Sequence, residues 1–152
     1  MSDQQQEDAA FQQLMALREG SRNVVYLDTL GKPTVGIGHL VMPGDNLKVG
    51  DRITDAQVDA LFRKDGAAAM SAARTQAEEA GITDSAFIPY LASVNFQLGT
   101  KWRATFPRTW RMIVEGEYED AANALDGTVW AKQTPIRVKD FQDALRKLAA
   151  KV

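Results

Sequence analysis

Glu19, Asp28 and Thr34 stand in an E-x8-D-x5-T spacing that runs directly into Val35, Gly36, Ile37, Gly38 and His39. Two carboxylates in different surroundings can cleave a glycosidic bond. One delivers a proton to the leaving oxygen, and the other acts from the opposite face of the sugar as nucleophile or as activator of a water. Glu19 closes a helical pattern beside an apolar lobe, where burial favours the neutral carboxyl, so it is the better candidate acid. Asp28 lies beside a polar turn and is expected to stay ionised. The Thr34 hydroxyl can donate and accept, so it could hold a water against Asp28 and aim a lone pair at the sugar, which favours inversion. The competing reading is that Glu and Asp near a turn serve as helix caps or solvated charges.

The elements that must position these groups follow from periodicity and punctuation. Ala10, Phe11, Leu14, Met15 and Leu17 predict an amphipathic helix over about 8–19, stopping at Glu19 and Gly20. Two β-rich segments follow, separated by the Gly- and Pro-containing stretch 29–33, and predict a hairpin. After loop-like residues 42–46 and 50–51, Thr54 and Gln57 form a capping box for a long helix ending near Glu79. Further helices are predicted at 84–98, stopped by Gly99, at 107–115, stopped by Gly116, and at 118–125. A last helix is predicted from Pro135, with Thr134 as its N-cap and Ile136, Phe141, Leu145 and Leu148 on one side. The expected architecture is α+β in a single domain. A small β-containing lobe (about 20–53) is joined by a connecting helix (about 54–79) to a helical lobe (about 80–152 with the N-terminal helix 8–19). A cleft between lobes is a common place for a ligand.

Composition narrows the function. With 152 residues, 45% hydrophobic and 25% charged, the chain is long enough to bury a sizeable core. It has no cysteine and only one histidine, His39, which excludes thiolate chemistry and a His-based zinc site. Its net charge of -2 argues against a general nucleic-acid binder. Charge is uneven: residues 1–100 carry 8 Lys/Arg against 13 Asp/Glu, and residues 101–152 carry 10 against 7. Lys101, Trp102, Arg103, Arg108, Trp110 and Arg111 interleave cations with indoles; aromatics packed under a basic surface are the commoner explanation. No apolar run approaches a membrane span, and the N-terminus lacks the pattern of a signal peptide, so a cytoplasmic protein without stable membrane insertion is expected.

The E-x8-D-x5-T string with V-G-I-G-H, placed on a helix followed by a hairpin, resembles the tailed-phage lysozymes (endolysins) of glycoside hydrolase family 24. The likeness continues through Ile53-Thr54, Leu61-Phe62, Phe96-Gln97-Leu98-Gly99, Phe106, Arg111-Met112, Ala121-Ala122 and the stretch from Trp130 to Arg137, covering most of 11–148. The resemblance implies a lysozyme-like fold and muramidase activity, hydrolysis of the β-1,4 bond between N-acetylmuramic acid and N-acetylglucosamine in bacterial peptidoglycan. It makes Glu19 the acid, Asp28 the second carboxylate and Thr34 the water-positioning hydroxyl. Leu40, Phe96 and Thr109 match groove-lining positions, with Gln97 and Trp130 adjoining. Arg137 matches an arginine that approaches the catalytic glutamate; as a cation it favours the ionised acid, but burial and a shared hydrogen-bond network are expected to offset the charge and leave it mainly as an orienting group. His39 matches a structural histidine whose partner here is Asp65.

The resemblance also implies a monomer without cofactor or metal, waiting in the host cytoplasm until a holin opens the inner membrane. The interval from His39 to Ile53 is short for the family, which implies the loss of a small helix there. Gly36 and Gly38 lack a P-loop lysine and are expected to let a substrate or neighbouring chain come close. Two alternatives stay open: a non-catalytic peptidoglycan-binding module, and a lytic transglycosylase that would leave Asp28 and Thr34 without a task.

Overall fold

In the computed structural model, which describes residues 2–152, the first helix starts earlier than its apolar spacing implies. Helix α1 spans Asp3–Glu19. Its polar first turns are helical because Ser2 and Gln5 form a capping box. The Ser2 N–H donates to Gln5 Oε1 at 2.9 Å and the Gln5 N–H to Ser2 Oγ at 3.2 Å. Glu7 anchors the same stretch, accepting from Arg74 Nε at 3.1 Å and from Ser85 Oγ at 2.6 Å.

Strands β1 (Arg22–Leu27), β2 (Pro33–Gly36) and β3 (His39–Leu40) form one antiparallel sheet in the order β1-β2-β3. The hairpin is present, with β3 a short addition to it. Tyr26 stands opposite Thr34, and Thr34 opposite Leu40. Arg22 stands opposite Gly36, so β1 advances four residues where β2 advances two, and the excess forms a bulge. The bulged backbone pairs with residues 50–53 instead. Val25 N–H donates to Asp51 C=O at 2.8 Å, Gly50 N–H to Val25 C=O at 2.9 Å, and Ile53 N–H to Asn23 C=O at 2.7 Å. No small helix follows β3; a single 3-10 turn, Pro43–Asp45, takes that place.

Helix α2 spans Asp55–Glu79 and opens on the expected box. Thr54 N–H donates to Gln57 Oε1 at 2.7 Å, and Gln57 N–H to Thr54 Oγ1 at 3.1 Å. The chain divides into two compact units, Gln12–Ala67 and the remainder (residues up to Phe11 with Ala68–Val152), and the divisions fall inside α1 and α2. The first unit carries the sheet and buries Met15, Val25, Val35, Ile37, Ile53, Val58 and Phe62.

The second unit is helical: a 3-10 turn Ser85–Phe87, then α3 (Ile88–Leu98), α4 (Trp102–Thr105), α5 (Pro107–Val114), α6 (Tyr118–Asn123), α7 (Val129–Gln133) and α8 (Pro135–Ala150). The predicted helix at 84–98 is therefore split. Asp84 accepts the Ala86 N–H at 3.0 Å and holds the first turn in 3-10 form, and Pro89 falls in the first turn of α3. Helices α4 and α7 are too short to show a period; α7 is capped by Thr128, which accepts from Ala131 N–H at 3.1 Å. Thr134 does not cap α8 with its side chain. Its hydroxyl turns back to the Trp130 carbonyl at 3.2 Å and accepts from Gln97 Nε2 at 3.0 Å.

Inside this unit Gln76 is buried and fully engaged. Its Nε2 donates to Asn95 Oδ1 at 3.0 Å, while its Oε1 accepts from Asn95 Nδ2 at 2.9 Å and from Trp102 Nε1 at 3.1 Å. Gln76→Leu keeps the volume but leaves the indole N–H and the Asn95 side-chain oxygen without these partners in an apolar interior. We expect a loss of about 2–4 kcal/mol in urea unfolding at unchanged m-value; a loss under about 0.5 kcal/mol would show that the network is dispensable.

Candidate active site

Asp28 and Thr34 are held by the backbone of one residue between them. Asp28 N–H donates to Lys32 C=O at 2.9 Å, and Gly31 N–H returns to Asp28 C=O at 2.9 Å, closing a tight turn in which Gly31 takes φ +77°. The N–H groups of Leu30 and Lys32 both donate to Asp28 Oδ1 at 2.8 Å. Thr34 Oγ1 then donates to the same Lys32 carbonyl at 3.0 Å. One carboxylate oxygen is thus spent on its own turn, and among the described residues nothing bonds to Oδ2. The threonine proton is committed to Lys32, so toward a ligand Thr34 Oγ1 can only accept.

Glu19 is the last residue of α1 and half-buried. Its side chain lies on Gly38, in the turn between β2 and β3. A Cβ on Gly38 would stand 3.1 Å from Glu19 Oε2 and 3.3 Å from its Cδ, at a backbone φ of +65°. The close approach expected of a glycine here is the approach of Glu19. Gly36 only meets Val58 at ordinary contact distance, 3.6 Å.

His39 is buried on β3 with a carboxylate at each ring nitrogen. Nδ1 lies 2.7 Å from Asp65 Oδ2, and Nε2 lies 2.8 Å from Asp45 Oδ2. Only the doubly protonated ring can donate to both. Burial alone would lower the His39 pKa, but the hydrogen bonds and charges of Asp45 and Asp65 outweigh it, and the net shift is upward. The Asp45 pKa is lowered, first by the Met42 N–H at 2.8 Å and then by His39. Asp45 was not legible as a partner because it sits in an irregular loop.

The other expected site residues fall in both units. Leu40 stands beside Thr34 on the sheet and is 47% exposed. In the second unit, Phe96 is half-buried edge-on to Phe11, at 6.0 Å between ring centroids. Gln97 accepts from Trp130 Nε1 at 3.1 Å and donates to Thr134. Thr109 and Trp130 are only 4% and 6% exposed. Trp130 lies in an aromatic cluster, 5.7 Å from Phe106 between ring centroids. Arg137 on α8 directs Nη2 at Ser93 Oγ, 3.3 Å away. Of the interleaved cations and indoles, Trp102 is buried, and Arg103 is stacked on Trp110 and paired with Glu79 at 2.6 Å.

Residues 16–146 match the family described as Phage lysozyme, a span that contains Glu19, Asp28 and Thr34. The chain is similar to Probable T4-type lysozyme 2 of Dictyostelium discoideum, with 26% identity over 151 residues, covering 85% of this chain and 89% of that protein. It is 31% identical over 127 residues to Peptidoglycan hydrolase gp36 of Pseudomonas phage phiKMV, covering 84% of this chain but 14% of that much longer protein. Probable T4-type lysozyme 1 of Dictyostelium discoideum is 28% identical over 156 residues, at 85% and 89% coverage. The chain belongs to the phage lysozyme family and is a glycoside hydrolase.

Two predictions follow from this geometry. Because the folded His39 pKa exceeds the unfolded value of about 6.5, its contribution to stability is complete below that pH and is lost as pH rises through the folded value. Asp45 contributes above about pH 3.9 and its contribution is lost as pH falls through its lowered value. Asp65→Asn should therefore lower the His39 pKa seen by NMR and flatten the alkaline loss of stability; an unchanged His39 titration would reject the ion pair. Gly38→Ala should cost about 1–2 kcal/mol for the left-handed backbone and, by pushing Glu19 a few tenths of an ångström, lower kcat about tenfold. Unchanged kcat would contradict the placement of Glu19.

Proposed function

We propose that the chain is a muramidase that hydrolyses the β-1,4 bond between N-acetylmuramic acid and N-acetylglucosamine in bacterial peptidoglycan, with inversion. The observation that carries the reading is the Lys32 carbonyl accepting from both Asp28 and Thr34, in a chain of the phage lysozyme family. A water between Asp28 and Thr34 gives one hydrogen bond to Asp28 Oδ2 and the other to Thr34 Oγ1, whose own proton is engaged elsewhere. Both water protons are then directed away from the sugar, and an oxygen lone pair faces the anomeric carbon. Glu19 protonates the leaving glycosidic oxygen as the bond breaks, and Asp28 takes the water proton as the new bond forms. Leu40, beside Thr34, offers apolar surface to a sugar face.

Similarity to the peptidoglycan hydrolase and T4-type lysozymes supports the substrate class. In the same reading the enzyme serves host lysis as a phage endolysin, reaching the wall once a holin permeabilises the inner membrane. Among the described residues no helix is long and apolar enough to cross a membrane.

Kinetics on purified peptidoglycan test the assignments. Glu19→Gln should lose about 10³-fold or more in kcat with the fold intact, within the range of general acid–base catalysis. Thr34→Val should lose about 10²-fold, and Thr34→Ser, which keeps the acceptor oxygen, should retain most activity. Mass spectrometry should find reducing ends. Anhydro ends would make the enzyme a transglycosylase, and binding without cleavage would make it a recognition module.

A further inference from the structure

The register of the sheet places a third residue beside Thr34. Directly opposed residues of antiparallel strands point to the same face, so Tyr26, Thr34 and Leu40 form one row across β1, β2 and β3. The bulge in β1 brings Arg22 back along the strand, and its guanidinium carbon lies 4.2 Å from the centroid of the Tyr26 ring. Arg22 itself is opposite Gly36, just before the turn that carries Gly38 under Glu19.

This arginine is held differently from others in the chain. Arg74 and Arg103 spend their guanidinium edges on Glu7 with Asp8 and on Glu79. Arg22 is exposed, lies on an aromatic face, and among the described residues bonds to no carboxylate. Stacking fixes the guanidinium plane while leaving its edge N–H groups free, the arrangement suited to two parallel hydrogen bonds with a carboxylate.

We propose that Arg22, stacked on Tyr26 beside Thr34, is a carboxylate-binding subsite that takes a carboxylate of the peptide stem borne by the muramic acid residue. Tyr26 is the positioning residue, acting through Arg22. The inference rests on the muramidase reading and deepens it by adding recognition of the peptide to cleavage of the glycan.

The test uses the full chain, intact peptidoglycan, and the same glycan strands stripped of stem peptides by an amidase. The readout is the ratio of kcat/KM on stem-bearing to stem-free strands. Arg22→Gln should reduce this ratio about tenfold, through KM, relative to wild type. Tyr26→Ala should reduce it by releasing the guanidinium, Tyr26→Phe should keep it, and Arg22→Lys, which retains charge without the planar fork, should fall between. Thermal melts confirm that each variant is folded. A ratio unchanged in Arg22→Gln, whatever happens to overall activity, overturns the subsite while leaving the muramidase reading intact. Wild-type enzyme that cleaves neither substrate overturns both.

Discussion

The Lys32 peptide is the constraint on which the site depends. Its carbonyl accepts from the Asp28 main chain and the Thr34 side chain, and its N–H holds one oxygen of the Asp28 carboxylate. The Asp28 carboxylate and the Thr34 hydroxyl are thereby set at a fixed offset by covalent geometry and three hydrogen bonds, with no long side chain to order. Such an arrangement needs little reorganisation when substrate binds, which is where preorganised sites draw their advantage. It also explains the spacing: the turn must close between Asp28 and Lys32, and Gly31 supplies the left-handed backbone that closes it.

The Glu19 carboxyl is positioned by a different device. Glu19 ends a helix, where side-chain direction is least constrained, and a glycine with no Cβ receives it. The turn bearing that glycine continues into β3, whose His39 is clamped between Asp45 and Asp65. The glycine that receives Glu19 and the histidine held by Asp45 and Asp65 are thus consecutive in sequence. Loosening the His39 clamp would be felt at Glu19 through the adjoining Gly38.

Much of this was legible in the chain itself. The helix stops at Glu19 and Leu98 follow from Gly20 and Gly99, and the start of α2 follows from the Thr54–Gln57 box, whose causes are local. Glu19, Asp28 and Thr34 stood out through the resemblance of their string to the phage lysozymes, and Asp28 and Thr34 flank one turn. What escaped the sequence depends on contacts between distant residues or on elements too short to carry a period. Asp45 reaches His39 from an irregular loop, the 3-10 turn at Ser85–Phe87 is set by an Asp84 side chain, and Thr134 turns its hydroxyl to Trp130 because another helix ends immediately before it. Burial shows the same limit: Thr109 and Trp130 have side chains suited to a sugar, but helix packing encloses them. Tyr26 became a candidate only once the register placed it beside Thr34.

The central claim is that a single water is gripped by Asp28 and Thr34 and attacks opposite the bond that Glu19 protonates. The most direct measurement is NMR of the new reducing end, quenched before mutarotation. Direct attack by that water predicts the α-anomer as the first product; the β-anomer appearing first would mean a double displacement and would contradict the account.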